Sequence, residues 1–331
     1  VNDTGLSAEQ YDRALGVLLG TAVGDALGAG YEFGPPLPDD AVVAMNGGGA
    51  FGWAPGEWTD DTSMALVIAE TAASGADLRG QQAQNEIVSR WAAWAADAPD
   101  VGSQTRQVLG GVGGGTGSAD RARLAARELH RRTGQSAGNG SLMRTAPVAL
   151  AFLGDPGALA EAATALSGLT HFDPEAGEAC VLWCLAIRHA VLTGEADAAA
   201  GLAGLPAARR DVWAARLAAA EQGRPCDFDR NGWVVHALQG AWSAIAGTRP
   251  GTVSGGEAEG WLQRALEAAV RGGRDTDTVA AIAGGLAGAA CGAARVPEPW
   301  RGAVHGWPGL RAAGLAKLTS QITGQPSEAG R

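Results

Sequence analysis

Residues 275–293 read Asp275-Thr276-Asp277-Thr278-Val279-Ala280-Ala281-Ile282-Ala283-Gly284-Gly285-Leu286-Ala287-Gly288-Ala289-Ala290-Cys291-Gly292-Ala293. Good helix formers fill the stretch, yet Gly284, Gly288 and Gly292 interrupt it at a spacing of four. Residues four apart share one helix face. Each glycine costs a helix up to about 1 kcal/mol relative to alanine, so such a row calls for a reason. The physical reason is close approach of a second backbone. A matching row, Gly16, Gly20, Gly24 and Gly28, lies near the start of the chain. In membranes such rows associate helices. Here the uncharged run Val279 to Ala294 has 16 residues, short of the ~20 apolar residues of a membrane span. The two rows therefore predict two buried, central helices.

Working outward, Ala-rich helical patterns recur over 65–73, 81–96, 119–132, 158–169, 175–192, 207–221, 234–246, 257–271, 278–293 and 307–319. Gly or Pro separates them, and alternating Val/Ile/Thr runs are almost absent. The expected fold is all-α: a single multi-helix domain over 10–320, with 1–9 and 321–331 as tails. Gly110–Gly117 and Pro250–Gly256 read as loops. No fixed-period repeat is present.

Composition narrows the function. Glycine (51) and alanine (70) make up over a third of the 331 residues, and the net charge is -10. A hydrophobic content of 46% is enough for a core and excludes disorder, and the glycines lack a collagen triplet. The acidic balance argues against nucleic acid as a partner, and no membrane association is expected. One lysine, Lys317, against 24 arginines makes a Schiff-base mechanism improbable. Cys180, Cys184, Cys226 and Cys291 form no C-x-x-C pair, and the polar N-terminus carries no leader signal, so a cytoplasmic protein is expected.

Two acidic clusters open apolar helices. They are Trp58-Thr59-Asp60-Asp61-Thr62 and Arg274-Asp275-Thr276-Asp277-Thr278. Helix capping explains one carboxylate at such a place. Two carboxylates with two threonines, twice over, exceed what a cap needs. Carboxylate and hydroxyl oxygens from separate chain positions suit hard divalent cations, and the absence of neighbouring Cys or His disfavours zinc and copper. Both the metal and the capping readings stay open on the residues alone. Gly138-Asn139-Gly140-Ser141-Leu142-Met143-Arg144 exposes backbone N–H groups suited to an anion, although Asn-Gly and Gly-Ser are also ordinary turns. His171, in Leu169-Thr170-His171-Phe172-Asp173-Pro174, reads as a structural hydrogen-bonder or as an anion or proton partner.

Together these pieces resemble the ADP-ribosylglycohydrolase family, which includes the dinitrogenase reductase-activating glycohydrolase and the ADP-ribosyl-acceptor hydrolases. The resemblance runs from about Ala14 to Trp300 in the family's motif order. It rests on Gly24-Asp25-Ala26-Leu27-Gly28 with Glu32-Phe33, on Gly52-Trp53 and Pro55-Gly56 before the first acidic cluster, and on Asp100-Val101-Gly102 with Thr105-Arg106. The loop Gly138 to Arg144, Thr170-His171, Gly232-Trp233-Val234-Val235 with Leu238-Gln239, and Asp275 to Thr278 followed by Pro297 and Trp300 complete it. Trp233 stands where the family usually has Tyr, and Arg274 where Gly or Asn is common.

The resemblance implies an all-α fold with two Mg2+ or Mn2+ ions in a cleft. Thr59, Asp60 and Asp61 would ligate on one side and Asp275, Asp277 and Thr278 on the other, with Asp277 as the bridge. Gly102, Asn139, Gly140, Ser141, Met143, His171 and Trp233 would contact ADP-ribose. Asp60, Asp100 and Glu32 are the candidate catalytic carboxylates. Asp100 suits a guanidinium leaving group and resembles the arginine-directed bacterial branch, whereas Glu32 matches the prominent acid of the serine-directed branch. The expected activity is metal-dependent release of ADP-ribose from modified protein side chains, most of all ADP-ribosyl-arginine. The alternatives are another O- or N-linked conjugate, such as ADP-ribosyl-serine, a non-catalytic ADP-ribose-binding protein, and a phosphate-ester hydrolase.

Overall fold

The computed structural model describes residues 5–250 and 260–325. Among them are fourteen α-helices and one short hairpin. In chain order the helices are α1 (Ala8–Gly28), α2 (Asp60–Ala73), α3 (Gln81–Ala95), α4 (Ser103–Leu109), α5 (Ser118–Thr133), α6 (Ala146–Ala151) and α7 (Pro156–Ser167). There follow α8 (Pro174–Thr193), α9 (Ala207–Gln222), α10 (Val234–Gly247), α11 (Trp261–Arg271), α12 (Thr276–Cys291), α13 (Glu298–Ala303) and α14 (Ala312–Thr323). The hairpin pairs β1 (His305–Gly306) with β2 (Leu310–Arg311).

The two glycine rows meet face to face. A Cβ placed on Gly16 would lie 2.1 Å from the Gly288 carbonyl oxygen, and one on Gly20 2.2 Å from that of Gly284. On Gly24 it would lie 2.1 Å from the Ala280 oxygen, and on Gly28 2.5 Å from the Asp277 Cα. The pairing therefore runs antiparallel at backbone contact, which sets the C-terminal end of α1 beside the first turn of α12. Around this pair packs a core that includes Leu27, Met64, Trp183, Ile187, Leu238 and Leu286, all essentially inaccessible. The Trp183 indole donates to the Ile282 carbonyl (3.0 Å) and ties α8 to α12. The helices ending at Tyr31 and at Thr193 are long and apolar enough to cross a membrane, but 83% and 72% of their apolar windows are buried within the domain.

Several boundaries depart from expectation. The segment 307–319 is not one helix: Trp307, Pro308 and Gly309 form the hairpin turn, with Gly309 at φ +101°, and α14 starts only at Ala312. Proline and a left-handed glycine stop the helical pattern there. Gly292 sits just past α12 at φ +86° and belongs to the cap, not to the helical row. The short helices α4, α6 and α13 lack the length for a periodic signal. Gly110–Gly117 is the expected loop, with Gly113, Gly115 and Gly117 at positive φ. The expected loop at Pro250–Gly256 lies, beyond Pro250, outside the described residues, as do the first residues of the 257–271 pattern.

Candidate metal centre and substrate cleft

Asp25 is fully buried one turn before the end of α1. Its carboxylate accepts from the Thr59 N–H (2.9 Å), the Thr62 N–H (2.9 Å) and the Thr62 hydroxyl (2.6 Å). It therefore caps α2 from a different helix, and Thr59, the residue at the N-cap position, makes no capping bond with its own side chain. Asp275, at the N-cap position of α12, makes none either. Capping thus leaves the acidic clusters largely unused. Sequence reading assigned Asp25 no site role; the signal that could have found it was an aspartate inside a buried glycine row.

The freed groups converge. The Thr59 hydroxyl lies 3.5 Å from Asp60 Oδ1, 3.3 Å from Asp61 Oδ2 and 3.4 Å from Asp277 Oδ2. The Thr278 hydroxyl lies 3.3 Å from the same Asp61 oxygen. A hydroxyl has one proton, so Thr59 cannot satisfy three carboxylates at once. Asp61 Oδ1, Asp277 Oδ1 and Glu32 Oε2 are buried with no partner at all. Carboxylate oxygens of Asp25, Asp61 and Asp277 lie within 4.8 Å of one another, as do those of Glu32, Asp100 and Asp277.

Burial pushes every one of these carboxyls upward, and for Glu32, Asp60, Asp61, Asp100 and Asp277 neighbouring carboxylates add to it. Asp25 rises to about 6 despite its hydrogen bonds from Thr62 and Thr59. Burial and the charges of Asp100, Asp275 and Asp60 raise Glu32 to about 9. Burial, then Asp275 and Asp25, raises Asp100 to about 6, with Arg106 opposing. Asp60, Asp61 and Asp277 are driven well above the usual range by burial first and like charge second, and Asp275 also rises by burial. An uncompensated buried charge is costly, and orphaned buried acceptors are rare. Oxygen-only donors with unpartnered atoms facing one space fit a hard divalent cation.

Asp275 is held on the far side. Its Oδ2 accepts from Asn139 Nδ2 (2.7 Å), which also donates to the Asn231 carbonyl (2.8 Å). Asn231 in turn accepts from the Asp275 N–H (3.3 Å) and donates to the Gly273 carbonyl (3.0 Å). Asn231 is a second residue that sequence reading missed, because Asn231-Gly232 reads as an ordinary turn. Phe33 (φ +63°) and Arg274 (φ +65°) are the only non-glycine residues at positive φ among those described, and they adjoin through a bridge: the Phe33 N–H donates to the Arg274 carbonyl, and the Arg274 N–H to the Gly34 carbonyl (2.7 Å). Such strain gathers at functional sites; here it fixes Glu32 beside the acidic cluster. Arg274 keeps one buried guanidinium nitrogen without a partner.

A cleft of about 460 Å³ opens over the cluster. Its lining brings together Glu32, Asp60, Asp100, Gly102, Asn139, Gly140, Met143, His171, Asp275, Asp277 and Thr278, and the Gly102 N–H lies 3.3 Å from Asp60 Oδ2. Thr59 and Asp61 are buried in the same cluster without forming that lining. The Ser141 hydroxyl instead accepts from Ser167 (3.0 Å) and Cys180 (3.5 Å), in the core and not in the cleft lining. Trp233 lines an adjoining cavity of about 510 Å³ that shares Gln104, Gly138 and Gly232 with the cleft, and its indole donates to Glu175 (3.2 Å).

His171 is buried between the two glycines: its Nε2 would lie 3.2 Å from a Cβ on Gly138 and 3.4 Å from one on Gly140. The Arg144 guanidinium donates to the Thr170 hydroxyl (2.6 Å), which lies 2.8 Å from His171 Nδ1. Where the Thr170 hydroxyl gives its proton to Nδ1, the ring proton sits on Nε2, facing the glycine loop. Burial and then the Arg144 charge hold His171 well below its usual pKa. The imidazole is thus neutral. Arg144 itself is fully buried, 4.0 Å from the Trp91 ring centroid.

A family model described as ADP-ribosylglycohydrolase matches residues 6–328. The chain is 34% identical over 310 residues to a protein of Pseudomonas putida (strain GB-1) named ADP-ribosylarginine hydrolase Tri1, covering 89% of this chain and 75% of that one. It is 32% identical over 306 residues to the ADP-ribosyl-[dinitrogen reductase] glycohydrolase of Rhodospirillum rubrum, covering 88% and 89%. A solved structure titled ADP-ribosylglycohydrolase-related protein complex superposes with a TM-score of 0.69 at 30% identity, over 96% of this chain and 99% of the other.

Proposed function

We propose, from the premise that this chain belongs to the ADP-ribosylglycohydrolase family, that it is a divalent-metal-dependent hydrolase releasing ADP-ribose from ADP-ribosylated arginine on proteins. The observation that carries this reading is the set of orphaned carboxylate oxygens on Asp61, Asp277 and Glu32, on a chain similar over most of its length to two arginine-directed or reductase-directed glycohydrolases.

Thr59, Asp60 and Asp61 would hold one Mg2+ or Mn2+, and Asp275 and Thr278 a second, with Asp277 between them. Asp25 anchors this set: its oxygens accept from Thr59 and Thr62 and hold the start of α2 in place beside Asp61 and Asp277. When bound, such ions supply positive charge that fixes ribose hydroxyls and makes a water more acidic. The protein's own groups supply the rest. The Asn139 N–H is given to the Gly232 carbonyl (3.1 Å), so the Gly138 and Gly140 N–H groups, with His171 Nε2, would be the donors to the diphosphate, and Met143 and Gly102 would shape the wall.

In the reaction the bond from the ribose anomeric carbon to the guanidine nitrogen breaks, and water adds to that carbon. The leaving nitrogen takes a proton and departs as guanidinium, while water loses one. Asp100, Asp60 and Glu32 line the cleft where those protons move, and Asp100 can hold the guanidinium through two parallel hydrogen bonds. The four cysteines are free, consistent with action in the cytoplasm. Arginine- and serine-linked ADP-ribosyl peptides, each offered with and without EDTA, test the reading. Chelator-sensitive release from the arginine conjugate is expected. Release from the serine conjugate alone transfers the leading role to Glu32, and ADP-ribose binding without release makes the chain a binding protein.

A further inference from the structure

A second cavity, about 580 Å³, meets the metal-side cleft at Asp60 and Asp100, which line both. The first cavity's far side is the Gly138–Gly140 loop and His171. A scissile bond held over Asp60 and Asp100 therefore has its diphosphate side in one cavity and its leaving-group side free to enter the other.

The walls of the second cavity are of one kind. Trp53, Trp58, Trp94 and Trp307 supply aromatic surface, and Glu57, Asp60, Asp97 and Asp100 supply carboxylates. The one cation on the lining, Arg90, is already paired with Glu70. Trp94 and Trp307 contact one another with ring centroids 6.4 Å apart, and Trp307 remains 37% exposed at the mouth. The Trp53 Nε1–H is buried with no partner. The hairpin β1–β2 builds part of this wall: the Trp58 indole donates to the Trp307 carbonyl (3.0 Å), and a Cβ on Gly306 would lie 2.4 Å from that indole nitrogen.

Tryptophan faces attract guanidinium most strongly among aromatic rings, and carboxylates receive it through paired hydrogen bonds. A neutral serine arm would gain nothing from either. We propose that this cavity is the acceptor subsite, taking the guanidinium arm of the modified arginine and the adjoining segment of the target protein, with Trp94 and Asp97 as specificity-determining residues. The proposal rests on the arginine-directed reading above.

The test uses the full chain with Mg2+ or Mn2+. Asp97→Asn and Trp94→Ala are expected to raise KM for an arginine-linked ADP-ribosyl peptide by about 10-fold, while leaving the Kd for free ADP-ribose within about twofold. Trp94→Phe should recover part of the loss. Agmatine, as a bare guanidinium probe, should bind the wild type in calorimetry and bind Asp97→Asn more weakly. An unchanged KM in both variants, or loss of ADP-ribose affinity in step with KM, overturns the subsite. If the wild type binds agmatine at this place yet cleaves only serine conjugates, the subsite stands and the arginine-directed reading fails. If it cleaves arginine conjugates but agmatine binding ignores Asp97, the reading stands and the subsite fails.

Discussion

The glycine rows make a quantitative demand. In Gly24→Ala the new methyl would sit 2.1 Å from the Ala280 carbonyl oxygen, 2.5 Å from its carbon and 3.0 Å from the Ala281 nitrogen, where ordinary contact begins near 3.4 Å. All three atoms are backbone, so no rotamer change relieves the clash, and α1 and α12 must separate by roughly 1 Å in a close-packed interior. Overpacking costs about 1–3 kcal/mol, and a backbone-on-backbone clash at several atoms belongs at or above the upper end. Alanine's better helix propensity returns up to about 1 kcal/mol, leaving a net loss of ~2 kcal/mol or more. For a chain of this size that is a fall in Tm of roughly 3 °C. Separation also displaces Asp25, the next residue, which anchors Thr59 and Thr62, and moves it away from Asp277. The increment in Tm on adding Mn2+ should therefore shrink as well. Differential scanning calorimetry with and without Mn2+ reads both effects, and Gly302→Ala, whose Cβ meets nothing within 4 Å, is the control expected to be neutral or slightly stabilising. A Gly24→Ala protein as stable as that control would refute the spacing argument. A destabilised one with an undiminished metal increment would refute the link from the helix pair to the centre.

Removing a charge from the cluster should have opposite effects in the two metal states. Asp277→Asn is expected to raise the Tm of the EDTA-treated protein, since it relieves repulsion among buried carboxylates, and to abolish stabilisation by Mg2+ or Mn2+; a lower apo Tm in thermal denaturation would count against it. In the metal-free protein the folded-state pKa values of Asp25 (about 6), Asp100 (about 6) and Glu32 (about 9) lie above their unfolded values. An acid shifted upward binds its proton more tightly when folded, so stability is highest below the unfolded pKa and declines as pH rises through the window from about 4 to 9. Apo Tm should therefore fall between pH 5 and pH 8, and saturating metal should flatten or reverse that slope. Thr170→Val keeps volume but cuts the link between Arg144 and His171. A lost hydrogen bond to a charged group is worth about 1.5–3 kcal/mol, part of it felt as stability and part as a Kd for ADP-ribose raised several-fold; an unchanged Kd by calorimetry would leave Thr170 a purely structural residue.

The all-α class, the burial of both glycine-row helices and both acidic motifs were legible because each has a local signature; that the two rows face each other was not. Glycine at a spacing of four costs helix stability, so its purpose can be asked of the sequence directly; carboxylates doubled beside threonines exceed a cap in the same way. Asp25 and Asn231 were not legible as site residues. Each acts through hydrogen bonds to positions 34–37 and 42–44 residues away, and no local pattern marks such a partner. Residues 307–311, the hairpin turn and β2, read as helix because Ala312 and Leu315 extend a helical pattern backward across Pro308-Gly309, where backbone geometry overrides it. That error concealed the tryptophan wall, since Trp307 reads as a surface residue until the hairpin places it against Trp94.

Capping, metal binding and substrate access are coupled through one choice at Asp25. A helix start leaves up to four N–H groups without partners, and the cheapest remedy is a carboxylate or hydroxyl within the same turn. Here α2 takes its cap from α1 instead, at three hydrogen bonds to a single buried carboxylate. Thr59, Asp60 and Asp61 are thereby released from capping, yet held to a helix whose start is pinned against α1. Since α1 is in turn locked to α12 by glycine-to-backbone contact, the two acidic clusters cannot drift apart without opening the core. Four buried carboxyls, Asp25, Asp60, Asp61 and Asp277, can then crowd together beside the partly buried Glu32, Asp100 and Asp275, because side chains with fixed backbones cannot swing outward to solvate. In the folded protein without metal the packing leaves protonation as the way to relieve the repulsion among them, and a divalent cation bound there would relieve it instead, at the place where, on the proposed reading, Asp60 and Asp100 divide the nucleotide side from the acceptor side.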